Sequence, residues 1–118
     1  MSLPVILDVD PGVDDALAIL LALRSPEVDL TGITTVCGNV AIEQASTNVL
    51  RVLELMDRTD IPLYAGADRP LKGKPVYAGY VHGKTGLGEA SLPPPSATAN
   101  SDAVGYLVES ISSRPQEL

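Results

Sequence analysis

The sequence is short of the residues that mark secreted, nucleic-acid-binding and membrane-spanning proteins. Its one cysteine, Cys37, excludes an internal disulfide and fits a reducing compartment. Eight basic against fifteen acidic residues give a net charge of −7, which argues against a nucleic-acid or anionic-membrane surface. No apolar run approaches the roughly 20 residues of a membrane span, and the first residues lack the basic region of a signal peptide. We therefore expect a cytoplasmic protein with neither nucleic acid nor membrane as a partner.

The chain does have the composition and patterning of a globular α/β domain. Its 118 residues are 45% hydrophobic and 19% charged, which is enough for one hydrophobic core. Short apolar runs alternate with one stretch of good helix formers that is apolar nearly all round and with one stretch whose apolar residues have helical spacing. The predicted strands are at 5–8, 28–36 and 62–65, and the predicted helices at 14–23 and 41–56. This alternation predicts an α/β fold with an open parallel sheet and βαβ crossovers.

The second predicted helix is amphipathic. Its apolar residues recur every three or four positions between Ile42 and Met56, which predicts one buried face. The polar side chains are assigned to the other face: Glu43, Asn48, Arg51 and Glu54.

Residues 66–100 interrupt the alternation with five prolines, six glycines and little periodicity. We interpret them as a long loop that is part of an active site or mobile, with a disordered linker as the alternative. A final helix is predicted from Ser101 as its N-cap to Arg114, with an apolar stripe of Val104, Leu107, Val108 and Ile111. Because the chain stops where a next strand should begin, we expect a three-stranded sheet. Residues 1–118 would then be the N-terminal part of one larger domain, and an uncovered sheet edge would favour a homo-oligomer.

Four carboxylates lie close together after the first strand: Asp8, Asp10, Asp14 and Asp15, with no basic residue before Arg24. Two carboxylates about 4–5 Å apart repel by about 3–4 kcal/mol at an effective dielectric constant near 20, so the cluster needs a cation, a shared proton or solvent. Carboxylates are hard ligands, which favours Ca²⁺ or Mg²⁺. Capping of the following helix would explain Asp14 and Asp15, but it would not explain Asp10.

Three other acidic or phosphate-binding patterns fit less well. An EF-hand loop that began at Asp8 would need an acidic ligand where Ile19 stands, and the Gly-Lys-Ser/Thr of a P-loop is absent. A haloacid-dehalogenase-like phosphatase, with Asp8 as its nucleophile, would match Asp8-Val9-Asp10 after an apolar strand. That pattern prefers a small hydroxylated stretch next, and it gives no reason for the later pair of aspartates. A binding module or inactive remnant is a further alternative.

The string Asp10–Ala16 resembles the N-terminal signature of the inosine-uridine preferring nucleoside hydrolases. Gly32–Asn39 is similar to the second strand and Gly-Asn turn of that family, and His82–Gly88 to its His-Gly-x-x-Gly-Leu loop. Ile61–Gly66 fits as well. The resemblance covers essentially the whole chain, and it implies a Rossmann-like nucleoside hydrolase fold.

The resemblance implies hydrolysis of the N-glycosidic bond of a nucleoside to ribose and free base, with Ca²⁺ as cofactor, in nucleoside catabolism and base salvage. By the same resemblance, Asp10 and Asp15 would be metal ligands, and Asp10 would also be the general base for the attacking water. Asp14 would accept hydrogen bonds from ribose hydroxyls. Asn39 would face the nucleoside, and His82 would lie on the base side of the pocket.

Position along the chain agrees with these implied roles. Asp10 follows the first strand, Asn39 the second, and His82 lies after the third, so all three belong at the carboxyl ends of parallel strands, where ligands bind. Taken singly, Asn39 is also an ordinary turn residue and His82 an ordinary loop residue. Family members are more than twice as long and complete the calcium shell from their later part. We therefore expect these 118 residues alone to be catalytically incomplete.

Overall fold

The computed structural model describes residues 1–118 and confirms the α/β fold. Four strands form one parallel sheet in the order β1-β2-β3-β4. The elements in chain order are β1 (Leu3–Val9), α1 (Val13–Arg24), β2 (Val28–Thr35), α2 (Ile42–Leu55), β3 (Leu63–Ala65), α3 (Gly79–His82), β4 (Asn100–Ser101) and α4 (Ala103–Ser113). None of these helices combines the length and the apolar character that crossing a membrane requires.

The carboxyl ends of the four strands lie side by side. Val9 at the end of β1 pairs with Thr35 of β2, which pairs with Ala65 of β3. Ala65 in turn pairs with Ser101 at the end of β4. Because all four strands are parallel and end in register, the segments that follow them emerge at the same edge of the sheet. We call this edge the carboxyl rim.

The hydrophobic core is formed by the sheet together with α1 and α2. Ile33 of β2, Ile19 of α1 and Val49 of α2 have no solvent exposure. The other members of the core cluster are Val9, Leu30, Val52, Leu53, Ile61 and Leu63. The apolar residues of α2 thus occupy the buried face that their spacing predicted.

The expectation of three strands is wrong, because Asn100–Ser101 adds a fourth strand beside β3. Two polar residues have no period from which a strand could be predicted. Since Ser101 belongs to this ladder, the N-cap of α4 is Asp102, one residue later than predicted. Asp102 has a φ of 68°, and its side chain accepts a hydrogen bond from the Gly105 amide, a combination that Asp tolerates better than most residues.

Most of the predicted apolar stripe of α4 faces solvent, and only Leu107 of its four residues is half-buried. Val104, Val108 and Ile111 are each more than half exposed. Helix α4 instead contacts the sheet through Tyr106, whose ring stacks on Tyr64 of β3 with centroids 4.3 Å apart. The Tyr106 hydroxyl donates to the Thr31 carbonyl at 3.3 Å. A helical period shows which residues share a face, but it does not show which neighbour that face meets.

Residues 66–100 contain a short helix and glycine turns that contact the loops at the carboxyl rim. The segment contains α3, and it is hydrogen-bonded to the loop after β2 through the Ala78 amide and the Asn39 carbonyl, 2.9 Å apart. Its glycine-rich part, residues 83–88, folds back on α3, where the Gly88 amide donates to the His82 carbonyl at 2.6 Å. The segment therefore lies against the carboxyl rim.

Candidate active site

The structure joins Asp10 to Asn39 across the carboxyl rim. The Asn39 backbone amide donates to Asp10 Oδ2 at 3.0 Å, and Asn39 Nδ2 donates to the Asp10 carbonyl at 3.1 Å. This double link connects the loop after β1 with the loop after β2. Gly38 makes the approach possible, because a Cβ at this position would overlap Asp10 Oδ2 and lie 2.7 Å from Asp10 Cβ. Asp10 and Asn39 are therefore in contact at the carboxyl rim, as their positions along the chain predicted.

Asp15, in the first turn of α1, folds back onto the same loop. Its Oδ2 accepts a hydrogen bond from the Asp10 backbone amide at 3.0 Å. Burial raises the pKa of Asp15, the Asp10 amide opposes that rise, and the nearby carboxylates of Asp10 and Asp14 add to it. The cluster therefore contains adjacent acidic groups whose mutual repulsion a bound cation would relieve.

His82 is held against the start of α1. The Val13 backbone amide donates to His82 Nδ1 at 3.1 Å, so the neutral ring carries its proton on Nε2. The ring packs on Gly12, where a Cβ would lie 2.5 Å from Nδ1. His82 Nδ1 is 4.0 Å from Asp14 Oδ1, and the His82 side chain is 14% exposed against 74% for Asp14. The structure thus brings His82 to the loop of residues 10–13, which we call the aspartate loop. It leaves the Asp14 carboxylate accessible to a ligand.

Asp8 makes its side-chain hydrogen bond within the sheet, away from Asp10 and Asp15. It belongs to β1 itself, and its Oδ1 accepts a hydrogen bond from Thr34 Oγ1 of the neighbouring strand at 2.6 Å. A phosphatase nucleophile would have to stand free beyond the strand end, whereas Asp8 is paired within the sheet. The geometry therefore does not favour the phosphatase alternative.

The aspartates fit part of a calcium shell. Asp10 and Asp15 supply the hard oxygen ligands that Ca²⁺ prefers, but the ion binds about six to eight oxygens. Nowhere in the 118 residues do three or more His, Cys, Asp or Glu side chains converge in an arrangement able to hold a metal ion. The residues present can hold such an ion only together with further ligands.

Asn48 of α2 is a residue of this region that the sequence pattern misplaced. It was assigned to the polar face of the helix, yet it has no solvent exposure. Its Nδ2 donates to the carbonyls of Pro11, at 3.3 Å, and Thr85, at 2.6 Å. Two sequence signals could have indicated its burial: it is a poor helix former in the middle of a helix, and it lies three and four residues from the apolar Ala45 and Val52. Neither signal shows what the side chain contacts.

Comparison with known proteins agrees with the fold. The family model of the inosine-uridine preferring nucleoside hydrolases matches residues 5–118. The pyrimidine-specific ribonucleoside hydrolase RihA of Salmonella arizonae is 47% identical over 117 residues, which are 98% of this chain and 38% of that protein. Uridine nucleosidase 1 of Arabidopsis thaliana is 44% identical over 115 residues, 96% of this chain and 34% of that protein.

A solved structure shows the same architecture. The purine-preferring ribonucleoside hydrolase from Gardnerella vaginalis superposes with a TM-score of 0.86 at 35% identity, covering 92% of this chain and 36% of that one. The chain therefore spans little more than a third of the length of the relatives it matches. Since the family model matches residues 5–118 and the fold agrees with that of a solved relative, the chain belongs to the inosine-uridine preferring nucleoside hydrolase family.

Proposed function

We propose that the protein containing this chain hydrolyses the N-glycosidic bond of ribonucleosides and releases ribose and a free base. The observation that carries the proposal is the cluster of Asp10, Asp15 and Asn39 at the carboxyl rim, in a chain that belongs to this family. Similar proteins include both a pyrimidine-specific and a purine-preferring enzyme. The proposed substrate class is therefore the ribonucleosides in general.

We propose that Asp10 and Asp15 contribute ligands to a Ca²⁺ ion. When bound, such an ion lowers the pKa of a water molecule and orients hydroxyl groups of the sugar. Asp10 takes up the proton of the attacking water through its carboxylate. Asp14, exposed at the start of α1, accepts hydrogen bonds from ribose hydroxyls. Asn39 faces the nucleoside, and His82 closes the site on the side of the base.

The exposed apolar stripe of α4 supports the proposal that residues 1–118 are part of a larger domain. Val104, Val108 and Ile111 would be covered in such a domain, and the remaining oxygen ligands would come from outside this chain. The activity is therefore proposed for the whole protein.

The test is the release of ribose from inosine and uridine by wild-type protein and by the Asp10→Asn variant. Loss of a general base lowers the rate by about 10²- to 10⁴-fold, and loss of a metal ligand adds to that. Asp29→Asn is the matched control, because Asp29 is an exposed aspartate near the opposite end of β2 and should leave the rate unchanged.

Two further outcomes separate the parts of the proposal. Full turnover in EDTA would refute the calcium role and leave the hydrolase role standing. A protein whose melting temperature rises with calcium, but which releases no ribose, would be a binding module.

A further inference from the structure

We propose that Asn48 is a positioning residue that fixes the aspartate loop and the His82 segment in one arrangement; this inference rests on the proposed function. Asn48 is completely buried, and it contacts both segments from the rigid helix α2. Its Nδ2 donates to the Pro11 carbonyl, directly after Asp10, at 3.3 Å. The same atom donates to the Thr85 carbonyl, three residues after His82, at 2.6 Å.

The amide of Asn48 has the donors and the acceptor that this position needs. Its two N–H hydrogens serve the two carbonyls, one each, and Asn48 Oδ1 accepts from Gln44 Nε2 at 2.9 Å. The two carbonyls require the NH2 end of the Asn48 amide to face the loops, because a carbonyl oxygen can only accept a hydrogen bond. An apolar side chain of similar size would leave both carbonyls unsatisfied, and a carboxylate would direct negative charge at them.

The two segments that Asn48 joins fit closely against each other. A Cβ on Gly86 would lie 2.9 Å from the Pro11 carbonyl oxygen and 3.1 Å from Asn48 Nδ2, and Gly86 has a φ of +88°. The Val13 amide and His82 Nδ1 make a second link at 3.1 Å. Asn48 therefore acts at the centre of a close contact, and its loss frees both segments at once.

Asn48 does not belong to the set of side chains proposed to meet the substrate or the metal. Its effect passes through the backbone of residues 10–13 and 82–85, which place Asp10 and His82. Misplacement of reacting groups by about 1 Å costs about 100-fold in rate. The rate effect of losing Asn48 should therefore appear mainly in kcat.

The test compares Asn48→Leu with Ser46→Ala in the whole protein. Ser46 lies on the same helix, and its buried hydroxyl pairs with Thr35 Oγ1 at 2.8 Å without touching either segment. The first readout is amide hydrogen exchange, measured by mass spectrometry, at residues 10–13 and 82–88. The second is kcat and KM for ribose release, measured well below each melting temperature.

For Asn48→Leu we expect exchange at least about 10-fold faster in both segments and a kcat lower by about 10- to 100-fold. For Ser46→Ala we expect a lower melting temperature, with amide exchange in both segments and kcat near the wild-type values. If Asn48→Leu does not fold, Asn48→Ser retains one donor and should show smaller changes in the same segments.

Unchanged exchange in the two segments, or equal changes in Ser46→Ala, would overturn the positioning role. If wild-type protein releases no ribose while Asn48→Leu still loosens both segments, the proposed function has failed and the structural link stands. If ribose is released and Asn48→Leu loosens the segments at unchanged kcat, the link has no positioning role.

Discussion

Gly38 lies so close to Asp10 that a side chain at position 38 has no room. The variant Gly38→Ala tests this close approach. A Cβ on Gly38 would lie 2.7 Å from both Cβ and Cγ of Asp10, whereas ordinary contacts of this kind begin near 3.4 Å. Rotation of the Asp10 side chain cannot relieve the overlap, because Asp10 Cβ is attached directly to its backbone. The loops after β1 and β2 must therefore separate by at least about 0.3 Å, and by about 0.7 Å to reach ordinary contact.

That separation strains the two hydrogen bonds that join the loops. The bond from the Asn39 amide to the Asp10 carboxylate is charge-assisted and contributes about 1.5–3 kcal/mol, and the bond from Asn39 Nδ2 to the Asp10 carbonyl about 0.5–1.5 kcal/mol. We expect Gly38→Ala to lower the free energy of unfolding by about 2–4 kcal/mol. We also expect it to lower the rate of ribose release by about 100-fold, because Asp10 is displaced.

Urea unfolding and ribose release of the whole protein measure the two effects. Gly79→Ala is the matched control, since a Cβ on Gly79 has no atom within 4 Å. If Gly38→Ala has the activity of wild type and a stability within about 0.5 kcal/mol of it, the close approach of the two loops is not a constraint.

The remaining predictions concern three separate parts of the molecule. Gly12→Ala should displace the His82 ring, lower the rate of ribose release and accelerate exchange of the Val13 amide; an unchanged rate would contradict a role for this contact. Hydrogen bonds from Ser96 lower the pKa of Glu54, so the ionised Glu54 carboxylate stabilises the fold at pH values above its ordinary pKa. This stabilisation is lost as the pH falls through the lowered pKa of Glu54. Glu54→Gln should therefore flatten the pH dependence of the melting temperature in that acidic range, and an unaltered dependence would contradict the linkage. Ile33→Ala, at a position with no solvent exposure, should cost about 2–5 kcal/mol of unfolding free energy in urea, and a cost below about 1 kcal/mol would show that the core closes around the cavity.

The sequence by itself determined the parts of this protein whose signal is local. Short apolar runs located β1, β2 and β3, a stretch of good helix formers located α1, and helical spacing located α2, because each of these signals lies within one element. The acidic string Asp10–Ala16 identified the junction of the loop after β1 with α1, where Asp10 and Asp15 lie, and the family match confirms the family resemblance. Parallel topology also predicted that Asp10 and Asn39 would meet.

Tertiary structure alone decided the features that depend on distant partners. Asn48 lies on the same side of α2 as the buried Ala45 and Val52, but only the folded chain brings it the carbonyl of Thr85, 37 positions away, as a hydrogen-bond acceptor. The two-residue strand β4 exists only because β3 offers it an unpaired edge. α4 meets that sheet through Tyr106 instead of its apolar stripe. A periodic pattern records which side chains share a face, whereas the identity of the atoms opposite that face is fixed only when the chain folds.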